Sequence, residues 1–336
     1  MDDARLIAAA REGDEAAFGR LVEPYRGALY AHCYRMLGSL QDAEDALQDA
    51  MLRAWRGLGG FDASRPLRPW LYRIATNACL DVISRRPRRV LPADRGPASS
   101  PADGPGEPVI EGVWVEPFPD EVLGLGEDHA GPDARYEQRE SVELAFIAAV
   151  QHLPARQRAV LLLREVLGFS AGEVAQSLET TAASVNSALQ RARRTIDERL
   201  PARSQQATLR QLGDDGVRDV VRRYVEAWET RNVDAMVAVL VEDATFAMPP
   251  LPGWFRGRDA VVAFIAGTGT PDLRHVIVRA GGQPAVAWYL PDRGGDGHVI
   301  ASLEVLGLEG DRVRDITAFL MPDVIARFGV PARLES

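Results

Sequence analysis

Between Val90 and Ala134 the chain carries 8 prolines and 7 glycines in 45 positions. Proline has no amide hydrogen to donate and fixes its own backbone, so neither a long helix nor a central strand can run through such a tract. The 336 residues must therefore fold as separate pieces, which a usual domain size of about 100 to 200 residues allows. Residues 101 to 134 hold nine acidic residues and no arginine, which equals the net charge of −9 of the whole chain. The flanking parts are near neutral, and every one of the 39 basic residues is arginine. Near-neutral, arginine-bearing domains can touch nucleic acid locally but bind it weakly alone, because affinity grows with the number of phosphates neutralised. A partner that supplies the remaining affinity is expected. One run inside the tract, Val113-Trp-Val-Glu-Pro-Phe-Pro-Asp120, is too apolar at Val113, Trp114, Val115 and Phe118 to stay solvated, and is expected to dock.

No stretch of 18 apolar residues occurs and Met1 is followed by Asp2 and Asp3, so a membrane span and an export signal are not expected and a cytoplasmic protein is. The two cysteines, Cys33 and Cys79, each fall in an apolar helical pattern without CxxC spacing; they read as core residues, and neither a metal nor a cofactor is expected.

From Leu6 to about Arg89 the pattern is helical. Ala43, Ala46, Leu47, Ala50, Met51 and Ala54 recur at helical spacing, with Asp42, Asp45, Asp49 and Arg56 on another face. A further helix buries Leu71, Ile74, Ala75, Ala78, Cys79 and Val82 and turns Arg73, Asn77, Asp81 and Ser84 outward, after a Gly- and Pro-containing loop over Gly57 to Pro69. Helical pattern returns from about Asp133 to Leu200. Leu153 to Leu163 forms a helix entered through Pro154. Ser170-Ala-Gly-Glu173 has the form of a capping box and opens a short helix to Leu178; the turn Glu179-Thr-Thr181 and a second helix from Ala182 complete a helix-turn-helix. Val185, Leu189, Ala192 and Ile196 face the first helix, leaving Ser184, Asn186, Ser187, Gln190, Arg191 and Arg194 for solvent or base edges.

Beyond residue 205 the period changes. Val217, Val220, Val221, Tyr224, Val225 and Trp228 make an amphipathic helix, followed by helices at Asp234 to Val241 and Arg258 to Ala266. Strand-like runs follow at Leu273 to Ala280, Ala285 to Leu290, His298 to Leu308 and Val313 to Met321, which predicts an α+β domain with helices on one face of an antiparallel sheet.

Asp42-Ala-Glu-Asp-Ala-Leu-Gln-Asp-Ala-Met-Leu-Arg-Ala-Trp-Arg56 and Trp70-Leu-Tyr-Arg-Ile-Ala-Thr-Asn-Ala-Cys-Leu-Asp81 resemble region 2 of extracytoplasmic-function (ECF) sigma factors of bacterial RNA polymerase. Leu153 to Leu200 is similar to region 4 of the same family, and the two come in the right order and spacing. The third part resembles SnoaL-like members of the NTF2 fold, which some ECF sigma factors carry as an extension. Trp114-Val-Glu-Pro is similar to the Trp-containing linker motif of such subgroups, whereas Asp292-Arg-Gly-Gly-Asp-Gly297 departs from their Asp-Gly-Gly-Gly motif. The resemblance implies a multidomain chain: region 2, an all-α bundle, over 1–89; an acidic linker over 90–134; region 4, an all-α helix-turn-helix domain, over 135–203; and an α+β SnoaL-like domain over 210–336.

The resemblance further implies a sigma factor whose partners are core RNA polymerase, through the clamp of its largest subunit and the flap of its second-largest, and promoter DNA. The clamp-binding helix would use Asp42, Glu44, Asp45, Gln48, Asp49, Arg53 and Arg56. The -10 element would be met by Phe61, Trp70, Arg73, Thr76 and Asn77, since a flipped base needs an apolar pocket and polar groups for its edge. Arg85-Arg-Pro-Arg-Arg89 would hold phosphate nearby. The -35 element would be read by Ser184, Asn186, Ser187, Gln190 and Arg191, with Arg193 and Arg194 on phosphate. In the last domain Trp228, Phe246, Met248, Trp254, His275, Trp288 and Asp315 are candidates to line a pocket for a small-molecule ligand. An enzyme is not expected, because the sequence brings no acid and base together there. A bifunctional protein that binds or converts a small molecule is the alternative reading, and a helix-turn-helix regulator acting without polymerase is a further one that the near-neutral charge disfavours. The extension is expected to regulate in cis.

Overall fold

The computed structural model describes residues 3–109, 112–123, 141–200, 203–268 and 272–335. The chain divides into two compact units, one made of Met1–Arg88 with Glu121–Leu200 and the other of Arg89–Asp120 with Pro201–Ser336.

The first unit begins with α1 (Asp3–Arg11), α2 (Glu15–Leu37), α3 (Leu40–Gly57) and α4 (Leu67–Ile83). Asp14 caps α2 by accepting the Ala17 amide, Gly38 ends it at φ 68°, and Ser39 at once caps α3. Small residues let the helices approach closely: Ala43, Ala46, Ala50 and Ala54 of α3 and Ala75 and Ala78 of α4 are buried where these helices pack with α2, whose Leu29, Cys33 and Met36 are buried too. Each large apolar side chain enclosed there, such as Leu29 or Leu71, contributes about 1.5–3 kcal/mol. Cys33 and Cys79 lie in this core as free thiols, and burial raises the Cys79 thiol well above its ordinary pKa.

The other half of this unit contains α5 (Leu144–Gln151), α6 (Ala155–Leu161), α7 (Ala171–Ser177) and α8 (Ala182–Asp197). The predicted helical stretch before residue 141 lies outside the described residues. Pro154 starts α6, which runs on as a π turn over Leu162–Val166 and is released by Gly168 at φ 72°. The capping box forms as the spacing predicts: Ser170 Oγ accepts the Glu173 amide at 3.2 Å and Glu173 accepts the Ser170 amide at 2.7 Å. Thr181 caps α8 through the Ser184 amide at 3.1 Å.

The halves of this unit are packed together. Arg35 of α2 donates to the Ser141 carbonyl at 3.1 Å, Gln151 donates to the Arg35 carbonyl at 3.2 Å, and Arg158 of α6 donates to Met36 and Leu153 carbonyls and to both the side chain and carbonyl of Gln151. Burial lowers both guanidinium pKa values to about 10, which leaves them charged at neutral pH.

In the second unit α9 (Gln205–Glu229), broken at Gly213, and α10 (Val233–Val239) lead into β1 (Leu240–Ala247). Here the sequence expectation is corrected: Leu240 and Val241 belong to a strand, because Leu240 pairs with Val313 of β6 and both side chains are buried there. β2 (Trp254–Arg256), α11 (Arg258–Gly267), β3 (Arg274–Ala280), β4 (Gln283–Pro291), β5 (His298–Glu309), β6 (Arg312–Phe319), α12 (Pro322–Ile325) and β7 (Arg333–Leu334) complete the unit. The sheet order is β2-β1-β6-β5-β4-β3, with β7 on β5 and β1 parallel to β6. Val221, Tyr224 and Trp228 of α9, Met236 of α10 and Val262 of α11 share one core with Val286, Trp288, Leu306 and Ile316, so the helices cover one face.

The apolar run of the expected linker does dock, and it docks within this unit. Val90 bridges to Trp114, and Arg89 clips the loop closed through the Trp114 carbonyl at 3.0 Å and Glu116 at 3.4 Å. Val109 donates its amide to Pro250, Ser99 to Trp254, and Gly253 to Pro105; Phe118 accepts from Gly281 at 2.7 Å. Val90, Val113 and Trp114 pack with Met321. Gly253 admits no side chain, since a Cβ there would stand 2.7 Å from the Pro105 backbone.

Candidate nucleic-acid interface

The helix-turn-helix presents its predicted surface in full. Ser184, Asn186, Ser187, Gln190, Arg191, Arg193 and Arg194 are all exposed on α8, while Val185, Ala188, Leu189, Ala192 and Ile196 are buried beneath them. Arg193 is held by Glu165 at 2.5 Å. Side-chain amides and arginine forks on an otherwise solvated helix are the groups that read base edges in a major groove.

The other predicted reading surface is altered by packing. Phe61 is buried and lies against Trp70, ring centroids 4.7 Å apart, and Trp70 is half-buried. Arg73 and Asn77 are half-exposed. Thr76 is not a surface residue: it is fully buried and its hydroxyl meets His32 Nε2 at 2.9 Å. Thr76 meets α2 through His32, and a second layer lies over Tyr72. Tyr72 and Thr76 join Ala75 and Cys79 in a stripe wider than one packing partner requires, and Tyr72 contacts both His32, at 5.3 Å, and Phe169 of the loop before α7, at 5.4 Å. Burial drives the His32 pKa down to about 3, aided by Arg35, so the ring is neutral. Arg73 donates to Glu179 at 2.9 Å, and Arg68 to the Leu167 carbonyl at 2.9 Å with its guanidinium 4.4 Å over Phe169.

On α3, Asp45, Gln48, Arg53 and Arg56 are exposed and Glu44 and Asp49 half-exposed. Arg53 bridges Asp49 at 2.6 Å and Asp81 of α4 at 2.8 Å, tying the two helices. Asp42 departs from the prediction. It is 3% exposed and paired with Arg86, because it stands in the first turn of α3 against the segment that follows α4. Arg86 and Arg89 are thereby engaged within the protein rather than free for phosphate. The predicted face omitted Leu52, which is 54% exposed beside half-buried Trp55. Its signal was readable: Leu52 follows Gln48 by four and Asp45 by seven, so an apolar side chain sits in a charged stripe.

The candidate pocket residues of the second unit divide between the faces of its sheet. Trp228, Phe246, Met248 and Trp288 belong to the helix-covered core, and His275 pairs with Trp288 in register on that side. Asp315 is on the opposite face, opposite Thr245 and Gly307 in register, and accepts from the Thr245 hydroxyl at 2.8 Å. Trp254 alternates with core residue Phe255 and gives its indole N–H to Gly96 of the docked loop at 2.9 Å. Two residues absent from the prediction complete the helix-covered side. Glu229 meets His275 Nδ1 at 2.7 Å, and buried Glu304 accepts from Tyr224 Oη and Trp288 Nε1, both at 2.6 Å on one oxygen. Burial pushes the Glu304 carboxyl up to about 7. Glu304 was hidden in an otherwise apolar strand, where a lone acid reads as an outward residue. Among the described residues no helix is long and apolar enough to cross a membrane, and no group of three or more His, Cys, Asp or Glu residues could hold a metal ion.

Comparison with known proteins agrees with this layout. Family models match for Sigma-70 region 2 over residues 21–89, Sigma-70 region 4 over 143–196 and a SnoaL-like domain over 221–328. The chain is similar to the ECF RNA polymerase sigma factor SigG of Mycobacterium tuberculosis, 42% identical over 330 residues, 96% of this chain and 86% of that protein. It is also similar to SigW of Bacillus subtilis, 29% identical over 58% of this chain and 95% of the relative. Among solved structures, the M. tuberculosis ECF sigma factor SigJ has the same fold, with a TM-score of 0.58 at 21% identity, covering 92% of this chain and 98% of the other. Two helical promoter-reading modules in order, a SnoaL-like extension, and this identity along nearly the whole length place the chain in the ECF family of RNA polymerase sigma factors.

Proposed function

We propose that the protein joins core RNA polymerase through the exposed face of α3, with Glu44, Asp45, Gln48, Asp49, Arg53 and Arg56 around Leu52 docking on the clamp, and through region 4 on the flap. Asn186, Ser187, Gln190 and Arg191 read the -35 element, with Ser184 beside them and Arg194 on phosphate, while Trp70, Arg73 and Asn77 meet the -10 strand. Asp42 and Thr76 support those surfaces from within. The observation that carries this reading is α8, whose polar face is exposed along its length on a capped helix-turn-helix. As part of the transcription machinery the protein acts in the cytoplasm.

The SnoaL-like domain regulates and does not catalyse. Its grip on Arg89–Asp120 supports this: the connection between regions 2 and 4 is folded onto Pro250, Trp254 and Gly281, so the extension controls how much of that segment can extend on polymerase. Run-off transcription with core RNA polymerase on the gene's own upstream fragment tests both parts. Specific transcripts are expected from the full chain, and Trp114→Ala, which loosens the docked loop, is expected to change their yield. Failure to bind core would refute the sigma role. Unchanged yield from both Trp114→Ala and a chain ending at Leu200 would refute regulation in cis.

A further inference from the structure

We propose that the half-open end of the helix-covered core in the SnoaL-like domain is a binding site for a small organic cation, a primary ammonium on an apolar body, with Glu304 as its counter-ion. The strand directions define that end. β1 runs parallel to β6, and three antiparallel pairings separate β6 from β3, so the ends of β1 and β6 lie beside the start of β3. Leu251, Leu273 and Leu320 follow or precede those strand ends, and with Phe264 and Ile265 of α11 they pack against the core while staying half-exposed. Glu229, the last residue of α9, meets His275 of β3 at the same end, and Arg231 just beyond it donates to the Ala266 carbonyl of α11 at 2.9 Å. The rim is therefore apolar, with one carboxylate and one imidazole set into it.

Glu304 lies inward from this rim. The His275 ring stands 5.9 Å from Trp288, whose indole N–H goes to Glu304 Oε2 together with the Tyr224 hydroxyl. Among the described residues the other oxygen, Oε1, receives no hydrogen bond, although Glu304 is only 6% exposed. A carboxyl enclosed in this way ordinarily has a cation beside it. The domain supplies none, since no arginine among the described residues from Gln205 onward is buried. What surrounds the carboxyl is aromatic: Trp228 and Tyr224 lie with ring centroids 4.2 Å apart beside Trp288, and the faces of such rings attract cations. A primary ammonium donates to Oε1 in a charge-assisted hydrogen bond, its apolar body lies against the half-exposed rim, and Glu229 adds a second negative charge at the entrance. Without the cation, burial raises the Glu304 carboxyl to about 7, and the groups that face it, Tyr224 and Trp288, are uncharged, so the ammonium takes the place of a proton.

The test needs no polymerase, so its result is separate from that for the sigma role. The full-length chain is titrated calorimetrically at neutral pH with phenethylamine, phenethyl alcohol and phenylacetate, which share a shape and differ in charge. Saturable binding of the amine is expected, about tenfold or more tighter than that of the alcohol, with no binding of the carboxylate. Glu304→Gln keeps an acceptor for Tyr224 and Trp288 and removes the charge; it is expected to lose about tenfold or more in affinity for the amine and to bind the alcohol as before. Lowering the pH by one unit is expected to weaken amine binding severalfold in the unaltered chain and not in Glu304→Gln. If thermal melting shows that Glu304→Gln does not fold, Glu229→Gln at the rim gives the second reading, a loss of severalfold for the amine alone. Equal affinity for amine and alcohol would overturn the proposal, as would an amine that does not bind at millimolar concentration. Amine affinity unchanged in a folded Glu304→Gln protein, or in Glu229→Gln where that variant is the one read, would overturn it too.

Discussion

The two helices predicted to read promoter DNA, α4 and α8, have similar amphipathic patterns and different fates. α8 is covered on one side, and every residue assigned to its polar face is exposed. α4 is covered on two, by α2, whose His32 meets Thr76, and by the helix-turn-helix half, whose Phe169 lies on Tyr72 and whose Glu179 takes Arg73. A helical period reports the face turned toward the first packing partner. It carries no signal for a second partner that arrives from elsewhere in the chain.

The largest expected effect tests the covered side of α4. His32 lies under it with its pKa lowered by burial from the ordinary 6.5 to about 3, so the unfolded chain binds the extra proton first. Stability is complete above pH 6.5 and falls as pH drops toward 3, by up to about 5 kcal/mol from this group. A melt of the first unit followed by tryptophan fluorescence should show that loss, and His32→Gln should remove most of it. The second unit carries the opposite sign. Glu304, raised from 4.5 to about 7, contributes stability that is lost as pH rises between those values, on the order of 3 kcal/mol, and Glu304→Gln should flatten that slope.

Next in size is Arg158→Ala. Removing a guanidinium that satisfies Met36, Gln151 and Leu153 acceptors leaves them buried and unpaired, at a cost of about 3–5 kcal/mol in chemical denaturation. It should also expose α4 to hydrogen exchange while leaving α8 unchanged; equal exposure of both helices would erase the contrast between them. Asn186→Ala should weaken -35 binding by about 1–3 kcal/mol in a fluorescence-anisotropy titration, with or without polymerase. Asn77→Ala should matter only in the polymerase complex. The smallest effect belongs to Glu179→Gln, an exposed pair worth about 0–1 kcal/mol, read as a small shift in the midpoint of chemical denaturation.

Much of the layout was legible. The capping box at Ser170, the caps and spacing of the helix-turn-helix, and the later strands follow from local rules of period and hydrogen bonding that act within a few residues. β1 was not legible, because Leu240 and Val241 extend a helical pattern and become strand only by pairing with β6, some seventy residues on. Asp42 was read as outward because it falls on the helix face of Asp45, Asp49 and Arg56; Arg86 decides otherwise. The pocket candidates divide for a similar reason. Asp315 and Trp288 are both plausible by residue type, and the sheet register puts them on opposite faces.

The amino-acid sequence by itself determined the pieces: two arginine-bearing helical modules, an acidic Pro- and Gly-rich connection with an apolar run that had to dock, and a helix-then-strand domain. Those properties are written in local spacing and composition. Only the tertiary structure decided where Trp114 docks, which arginines are spent inside the protein, and that α4 is covered while α8 is open. Such outcomes depend on contacts between residues a hundred positions apart, such as Arg73 with Glu179 and Gln151 with Arg35, and no local pattern encodes them.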